Sequence, residues 1–332
     1  YGSMKKSDLT GSVAVVRAED LKKTPAASVD QAIQGRVAGV SVNANSGQPG
    51  AGAVVRIRGI GTVNDSSPIY VVDGNITSDI SFLSPNDIAS TEVLKDASST
   101  AIYGSRGANG VILITTKSGE KGKGKVSLDM YYGWQSRWKK LDLMDKDEFI
   151  KTYISLGASN TERKYYDKFG FNEWLQRYKL GNDAYYAVAQ TRQYTDGLDY
   201  SAVNTDWQDE VFNSGAPIQN YHVSFDGGSD KSNYSFSASY FDQDGTIMGS
   251  QYNRLTLRAN TSFQVKSWLK VGENLSFVTS EARNAMYQSS SPGASIISAA
   301  LAMAPWDMPY YPSGAYNRNK QDMSGKIGVP SN

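Results

Sequence analysis

Apolar and polar residues alternate along the second half of the chain. From 126 to 135, valine, leucine, methionine, tyrosine and tryptophan occupy every second position, and small or polar residues fill the gaps. The pattern recurs at 221–226, 234–240, 255–265 and 269–277, where Glu273 is the charged exception on the apolar side. Because successive side chains of a β-strand point to opposite faces, these segments predict strands with one apolar and one polar face.

Two kinds of sheet produce this alternation. A soluble sandwich turns the apolar face inward, whereas a transmembrane barrel turns it toward lipid and lines its lumen with polar residues. Aromatic residues at the strand ends and a small polar opposite face favour the barrel. The connections agree, because 227–232 and 266–268 are short, 242–250 is intermediate, and 137–217 and the stretch after 280 are long. Short and long connections on opposite ends are typical of outer-membrane barrels.

The first part of the chain consists of shorter elements with clear turn signals. Strands are predicted at 13–17, 40–43, 54–58, 69–73, 92–94 and 111–116, and helical pieces at 28–37, 85–87 and 97–103. Ser28 with Gln31 forms a capping box, and Asp96 is placed to cap the last helical piece. The dipeptide Asp73-Gly74 is a turn signal rather than a catalytic aspartate. The pattern predicts a small α+β domain.

Arg56 and Arg58 fall on the same face of the predicted strand 54–58. One interpretation is that this face turns toward a water-filled lumen. The other is that both arginines pair with surface carboxylates. The sequence favours neither interpretation.

The order of these elements resembles the plug domain of TonB-dependent outer-membrane transporters. The residues that carry the resemblance are IYVVDG at 69–74 and LKDASSTAIYGSRGANGVILITTK at 94–117, and the second is similar to the SusC/RagA branch. The resemblance implies a plug domain at 1–119 and, after the glycine–lysine linker 120–125, the N-terminal part of a large antiparallel transmembrane β-barrel at 120–332. Plugged transporters have about 22 strands, so five predicted strands indicate the N-terminal portion of a larger protein. In this family the TonB-binding motif precedes such an N-terminal segment, and we expect it outside this chain.

Composition narrows the possible chemistry. The chain has 332 residues, a net charge of +1, no cysteine and a single histidine, His222. These counts argue against disulfides, thiol catalysis and histidine-built metal sites, and the sequence contains no phosphate loop or nucleophile elbow. Residues 242–245 faintly resemble a calcium loop but lack the other ligands, so we interpret them as a turn. We therefore expect no enzyme, no cofactor, no metal and no nucleic-acid partner.

The resemblance implies active import across the outer membrane of a Gram-negative bacterium. TonB would supply the energy, a SusD-like surface lipoprotein would cover the barrel, and pairs of the two proteins would form a dimer in contact with membrane lipids. The expected substrate is an oligosaccharide, with an oligopeptide as the alternative within the same family. Outside it, the alternatives are a non-transporting barrel receptor or adhesin, and a soluble carbohydrate-binding module.

Five residues are candidates for substrate binding. Asn64 and Asp65 lie in the polar loop 62–68, and plug loops form the floor of the outer cavity in the family that the chain resembles. Their amide and carboxylate groups suit sugar hydroxyls or peptide amides. Tyr287, Trp306 and Tyr310 would add aromatic faces for stacking. The alternative is that 64–67 is only a solvated turn.

Overall fold

The computed structural model describes residues 13–21, 26–44, 46–59, 66–156, 159–174, 202–284, 295–303, 305–306 and 309–310. The chain divides into two compact units. The first contains Tyr1–Gln135, Ala216–Gly245 and Ser250–Arg283, and the second contains Ser136–Gly215, Thr246–Gly249 and Asn284–Asn332.

The first unit begins with an α+β domain. Its strands are β1 (Val13–Arg17), β2 (Val40–Ala44), β3 (Ala53–Ile57), β4 (Ile69–Val72), β5 (Asn75–Thr77), β6 (Ile88–Leu94) and β7 (Val111–Thr116). Its helices are α1 (Ala18–Leu21), α2 (Val29–Ala32) and α3 (Ala97–Thr100), with 3-10 helices at Pro85–Asp87 and Ala101–Gly107. A mixed sheet has the order β1-β6-β7-β4-β5, and β2 pairs with β3 separately. Within the mixed sheet β4 and β7 are parallel, which confirms an α+β domain.

Apolar residues close the core of this domain. Val93 and Ile112 from the sheet, Val29 from α2, and Leu83 and Ile88 are fully buried in one cluster. β-branched residues dominate the sheet side because they suit the pleated surface. The domain therefore buries its own apolar face.

The predicted helix 28–37 is too long. The Ser28 hydroxyl accepts a hydrogen bond from the Gln31 N–H, so the N-terminal cap forms, but α2 ends at Ala32. Turns follow, and Gly35 has a φ of 70°, which a right-handed helix cannot contain. Asp96 precedes α3 as predicted, yet its carboxylate makes no cap hydrogen bond and accepts one from Arg58 instead.

The first unit continues with five antiparallel strands, which we call the strand sheet. They are β8 (Gly122–Gln135), β9 (Ala216–Gly228), β10 (Ser232–Asp244), β11 (Gln251–Lys266) and β12 (Leu269–Arg283), each paired with its neighbours in sequence. The predicted alternation is confirmed, since the apolar residues of β8 are exposed while the polar residues of β11 are buried. β8 begins inside the predicted linker, and the boundary between 119 and 120 stays a prediction.

The second unit contains α4 (Lys146–Leu156), α5 (Asn160–Trp174), α6 (Trp207–Val211) and α7 (Ile296–Ala302). A capping box precedes α4, because Asp145 and Glu148 each accept a hydrogen bond from the other's N–H. Among the described residues, no helix is long and apolar enough to cross a membrane.

Candidate functional site: a polar interface within the first unit

The polar face of the strand sheet contacts the α+β domain. Residues directly opposite each other in an antiparallel sheet point to the same side. On β11 this places Arg254, Thr256, Arg258 and Asn260 on the polar face, and all four are buried. The intervening Leu257 is exposed on the other face.

The turn at Asp73 meets β11 through a network of hydrogen bonds. Asp73 has a φ of 48°, which confirms the predicted turn. Its carboxylate accepts from the N–H of Thr116 at 2.9 Å and from the Thr116 hydroxyl at 2.6 Å. Arg258 Nη2 lies 3.3 Å from the same carboxylate, and it donates to the Thr116 hydroxyl oxygen at 3.1 Å. Asn260 donates to that oxygen at 3.0 Å and to the Lys117 carbonyl at 2.8 Å.

Arg254 joins two separate segments of the α+β domain. Its Nη1 donates to the Ser81 carbonyl at 2.6 Å, and its Nη2 donates to the Ala27 carbonyl at 3.1 Å. The guanidinium also lies over the Phe241 ring, 5.9 Å from the centroid. A buried guanidinium loses its hydration, and carbonyl oxygens and an aromatic face replace part of it.

The 3-10 helix Pro85–Asp87 contacts β10 and β9. Ser237 donates to Asp87 Oδ1 at 2.6 Å, and the hydroxyls of Ser84 and Ser239 lie 3.2 Å apart. Asp87 Oδ1 is also 3.9 Å from Nε2 of His222. This helix leads directly into β6, which lies between β1 and β7 in the mixed sheet.

Gly50 allows a close approach between the α+β domain and β11. Its φ is +70°, and a Cβ atom there would lie 2.3 Å from the ring of Tyr252. Both the backbone conformation and the ring therefore exclude a larger residue.

Asp30, inside the α+β domain, has a raised pKa. The Tyr70 hydroxyl donates to Asp30 Oδ1 at 2.9 Å. Burial raises the pKa of Asp30 from 3.8 to about 6; the Tyr70 hydrogen bond opposes this rise, and the nearby charge of Asp79 adds to it. Burial, together with the charge of Asp30, also raises the pKa of Tyr70.

Arg56 and Arg58, for which the sequence left two interpretations, both have partners in the structure. Arg58 forms an ion pair with Asp96 at 2.7 Å, and Arg56 donates to the Ser66 hydroxyl at 3.2 Å. The pairing interpretation therefore holds for Arg58.

The structure describes two of the five predicted substrate residues, and Asn64, Asp65 and Tyr287 lie outside the described residues. Trp306 is 4% exposed, with its ring edge-on to Phe149 and Phe171 at centroid distances of 5.4 and 5.7 Å. Tyr310 is 51% exposed. The five assignments stay predictions, and Tyr310 is the described one that presents its ring to solvent.

Sequence reasoning missed the donors of the polar interface. Arg258 and Asn260 lie on the polar face of 255–265 and Arg254 lies at its flank, and the sequence alone indicates no partner for them. The feature of the sequence that indicates such donors is the presence of Arg254 and Arg258 on a face that otherwise carries small polar residues. In the part of the chain that the structure describes, no group of three His, Cys, Asp or Glu residues could hold a metal ion.

Comparison with known proteins identifies the α+β domain. A family model described as the TonB-dependent Receptor Plug Domain matches residues 5–111. TonB-dependent receptor SusC of Bacteroides thetaiotaomicron is 32% identical over 337 residues, which cover 98% of this chain and 30% of the relative. The chain belongs to the SusC/RagA-like TonB-dependent transporters. The α+β domain is thus its plug domain, and the strand sheet corresponds to barrel strands.

Further relatives agree with this assignment. TonB-dependent receptor P3 of Formosa agariphila is 39% identical over 324 residues, which cover 96% of this chain. The structure of the RagAB peptide importer in its open-open state superposes with a TM-score of 0.77 at 30% identity, covering 96% of this chain and 36% of that one. The chain spans 28% of the length of P3 and 30% of that of SusC.

Proposed function

We propose that the full-length protein imports oligosaccharides actively across the outer membrane of a Gram-negative bacterium. The observation that carries this proposal is the polar character of the contacts between plug domain and strand sheet. Replacing a protein hydrogen bond by one to water changes stability by only about 0.5–1.5 kcal/mol. The plug domain can therefore shift in a hydrated lumen while its own apolar core stays closed.

The proposal includes three kinds of partner. TonB pulls on the plug domain and supplies the energy. A SusD-like surface lipoprotein covers the barrel, and transporter–lipoprotein pairs form a dimer. Membrane lipids contact the apolar face of the strand sheet, which includes Leu128 and Met130.

An oligopeptide is the second candidate substrate. Its support is the likeness to RagAB, whose structure is described as that of a peptide importer. Both candidates are oligomers with many hydrogen-bonding groups, so the plug domain and its energy source would be the same.

Uptake in whole cells tests the function. Cells that express the full-length protein receive labelled oligosaccharides in one arm and labelled oligopeptides in the other, with and without a functional TonB. We expect TonB-dependent accumulation of the oligosaccharide. TonB-dependent accumulation of the peptide alone would assign the second candidate, and binding without accumulation of either would contradict import.

The proposed substrate residues are Asn64, Asp65, Tyr287, Trp306 and Tyr310. We place Tyr310 first among the described ones because its ring is exposed. In calorimetry with the imported oligomer, loss of one hydrogen-bond partner in Asn64→Ala or Asp65→Ala should weaken binding about tenfold at most. Tyr310→Ala should weaken it by a similar factor, whereas Tyr310→Phe keeps the ring and serves as the control. Unchanged affinity in all three alanine variants would remove Asn64, Asp65 and Tyr310 from the site.

A further inference from the structure

The single histidine of the chain lies at the interface between plug domain and strand sheet. His222 is on the polar face of β9 and is 0% exposed. Its register partners are Ser239 on β10 and Asp129 on β8, so the three side chains point to the same side. Asp87 of the plug domain approaches from the opposite direction, with Oδ1 at 3.9 Å from His222 Nε2.

Asp87 is a structural junction of the plug domain. Ser237 donates to its Oδ1, and its carbonyl accepts from the Lys117 N–H at 2.8 Å, just after β7 ends. The other carboxylate oxygen, Oδ2, is buried and has no hydrogen-bond partner among the described residues. A buried carboxylate with one open oxygen requires further compensation for its lost hydration.

Around His222, carboxylate groups outnumber cationic groups. Asp87 and Asp129 carry two negative charges, and Arg254 on β11 is within electrostatic range of Asp87. Tyr131 on β8 faces Arg254. Farther along β9, Asp226 accepts from Ser224 and Ser235. The group of Asp87, Asp129 and Arg254 therefore has one excess negative charge, and a protonated imidazole neutralises it.

We propose that His222 and Asp87 form a proton-dependent contact that holds the start of β6 against the strand sheet. With the imidazole protonated, the pair is oppositely charged and both side chains are buried, so the attraction is stronger than in bulk water. When the imidazole releases its proton to solvent, the attraction ends and Asp87 keeps only the Ser237 hydrogen bond on its carboxylate. The histidine side chain is suited to this role because it ordinarily titrates between pH 5 and 8.

The consequence is a plug domain that is held more firmly at acid pH than at alkaline pH. Asp87 precedes Ile88, the first residue of β6, so the contact stabilises the strand that pairs with β1 on one side and β7 on the other. The inference concerns retention of the plug domain and is independent of which oligomer is imported.

Hydrogen exchange of the full-length protein in detergent micelles tests the contact. Protection of the amides in Ile88–Leu94 is measured at about pH 5.5 and about pH 8 and corrected for intrinsic exchange. Asp30 titrates in the same range, so every protein carries Asp30→Asn. With His222 present, we expect protection about tenfold lower at the higher pH, the equivalent of one pKa unit of coupling. In His222→Gln protection should be the same at both pH values.

Two further variants make the test specific. Asp87→Asn removes the carboxylate charge and should also abolish the pH dependence while His222 is intact. Asp226→Asn alters a carboxylate on the same strand and should leave the dependence unchanged. Protection that is flat with pH in the parent protein, or a dependence that persists in both His222→Gln and Asp87→Asn, would overturn the proposal.

Discussion

The two sheets of the first unit use the same alternation of side chains in opposite ways. In the plug domain Ile112 of β7 is 0% exposed, because the domain turns its apolar residues into its own core. In the strand sheet Met130 of β8 is 67% exposed, and the buried positions belong to polar residues such as Arg258 and Asn260. Alternation thus establishes that a strand has two different faces. The surroundings of each face decide whether its apolar side lies inward or outward.

The difference also separates two sources of stability. The plug domain gains stability from apolar burial within itself, so its core is complete without the strand sheet. The strand sheet leaves its apolar face exposed, and its polar face donates hydrogen bonds to the plug domain. A polar substitution at a buried position should therefore destabilise the plug domain, whereas an apolar substitution at a buried position should destabilise the contacts of the strand sheet.

The largest effect is expected in the core of the plug domain. Ile112→Ala removes fully buried methyl groups and leaves a cavity, which should lower the free energy of unfolding of this domain by about 2–5 kcal/mol. Hydrogen exchange of β6 and β7 amides in the full-length protein measures it. Val15→Ala on the partly exposed edge strand β1 is the matched control and should cost much less. Equal losses would contradict a single closed core.

The exposed face of β8 should respond to charge rather than to volume. Met130→Arg near the middle of the membrane should destabilise the full-length protein by about 2–4 kcal/mol, because a guanidinium would enter hydrocarbon. Urea titration of the protein folded in lipid vesicles measures this free energy. Ser127→Arg on the polar face is the matched variant and should cost far less. Similar penalties at both positions would indicate a soluble two-sided sheet.

The hydrogen-bonded interface should be weaker than either apolar region. Arg258→Ala leaves buried acceptors at Asp73 and Thr116 with one donor fewer, which should cost about 1–3 kcal/mol. Hydrogen exchange at Val111–Thr116 reports the loss. Arg283→Ala removes an exposed pair with Glu281 and should cost about 0–1 kcal/mol. If the two variants behaved alike, the interface would not hold the plug domain.

The stability of the plug domain should also depend on pH. The pKa of Asp30 is raised from 3.8 to about 6 in the folded domain, so the folded state binds this proton more tightly than the unfolded chain. The resulting stability is fully present below about 3.8 and is lost as the pH rises through about 6. At ~1.4 kcal/mol per pKa unit, the rise from 3.8 to about 6 corresponds to a loss of roughly 3 kcal/mol.

Asp30→Asn provides the control for this pH effect. Its amide oxygen can still accept from Tyr70, but the group no longer titrates, so the stability of the plug domain should vary less between pH 4 and pH 7. Thermal unfolding of wild type and variant across this range makes the comparison. An unaltered pH profile would show that Asp30 ionises freely in the folded protein.

The sequence predicted the strands better than the helices. Period-two alternation and the turn dipeptide Asp73-Gly74 are local properties of the sequence, and they predict the strand sheet and the turn after β4. The prediction of a helix at 28–37 is too long because a capping box marks only the start of a helix, whereas the positive φ of Gly35 prevents its continuation. Asp96 took the predicted position but found a stronger partner in Arg58, which is distant in sequence.

The interface could not be predicted in the same way. Its contacts join residues that are far apart in sequence, such as Ala27 and Arg254. A local sequence pattern does not indicate which carbonyl oxygen will accept from a given guanidinium. The buried position of Trp306 likewise depends on Phe149 and Phe171, which lie far from it in sequence. The resemblance of the sequence to a known family identifies the plug domain. Which side chains contact it depends on the tertiary structure.

The contact between Gly50 and Tyr252 limits how freely plug domains and barrels can be exchanged between relatives. The ring of Tyr252 occupies the space that a Cβ atom at position 50 would need, so the residue tolerated at each position depends on the residue at the other. A foreign plug domain with any side chain at this position would displace the ring, and a barrel with a small residue in place of Tyr252 would leave a gap over the glycine. Chimeric transporters therefore need both positions transferred together.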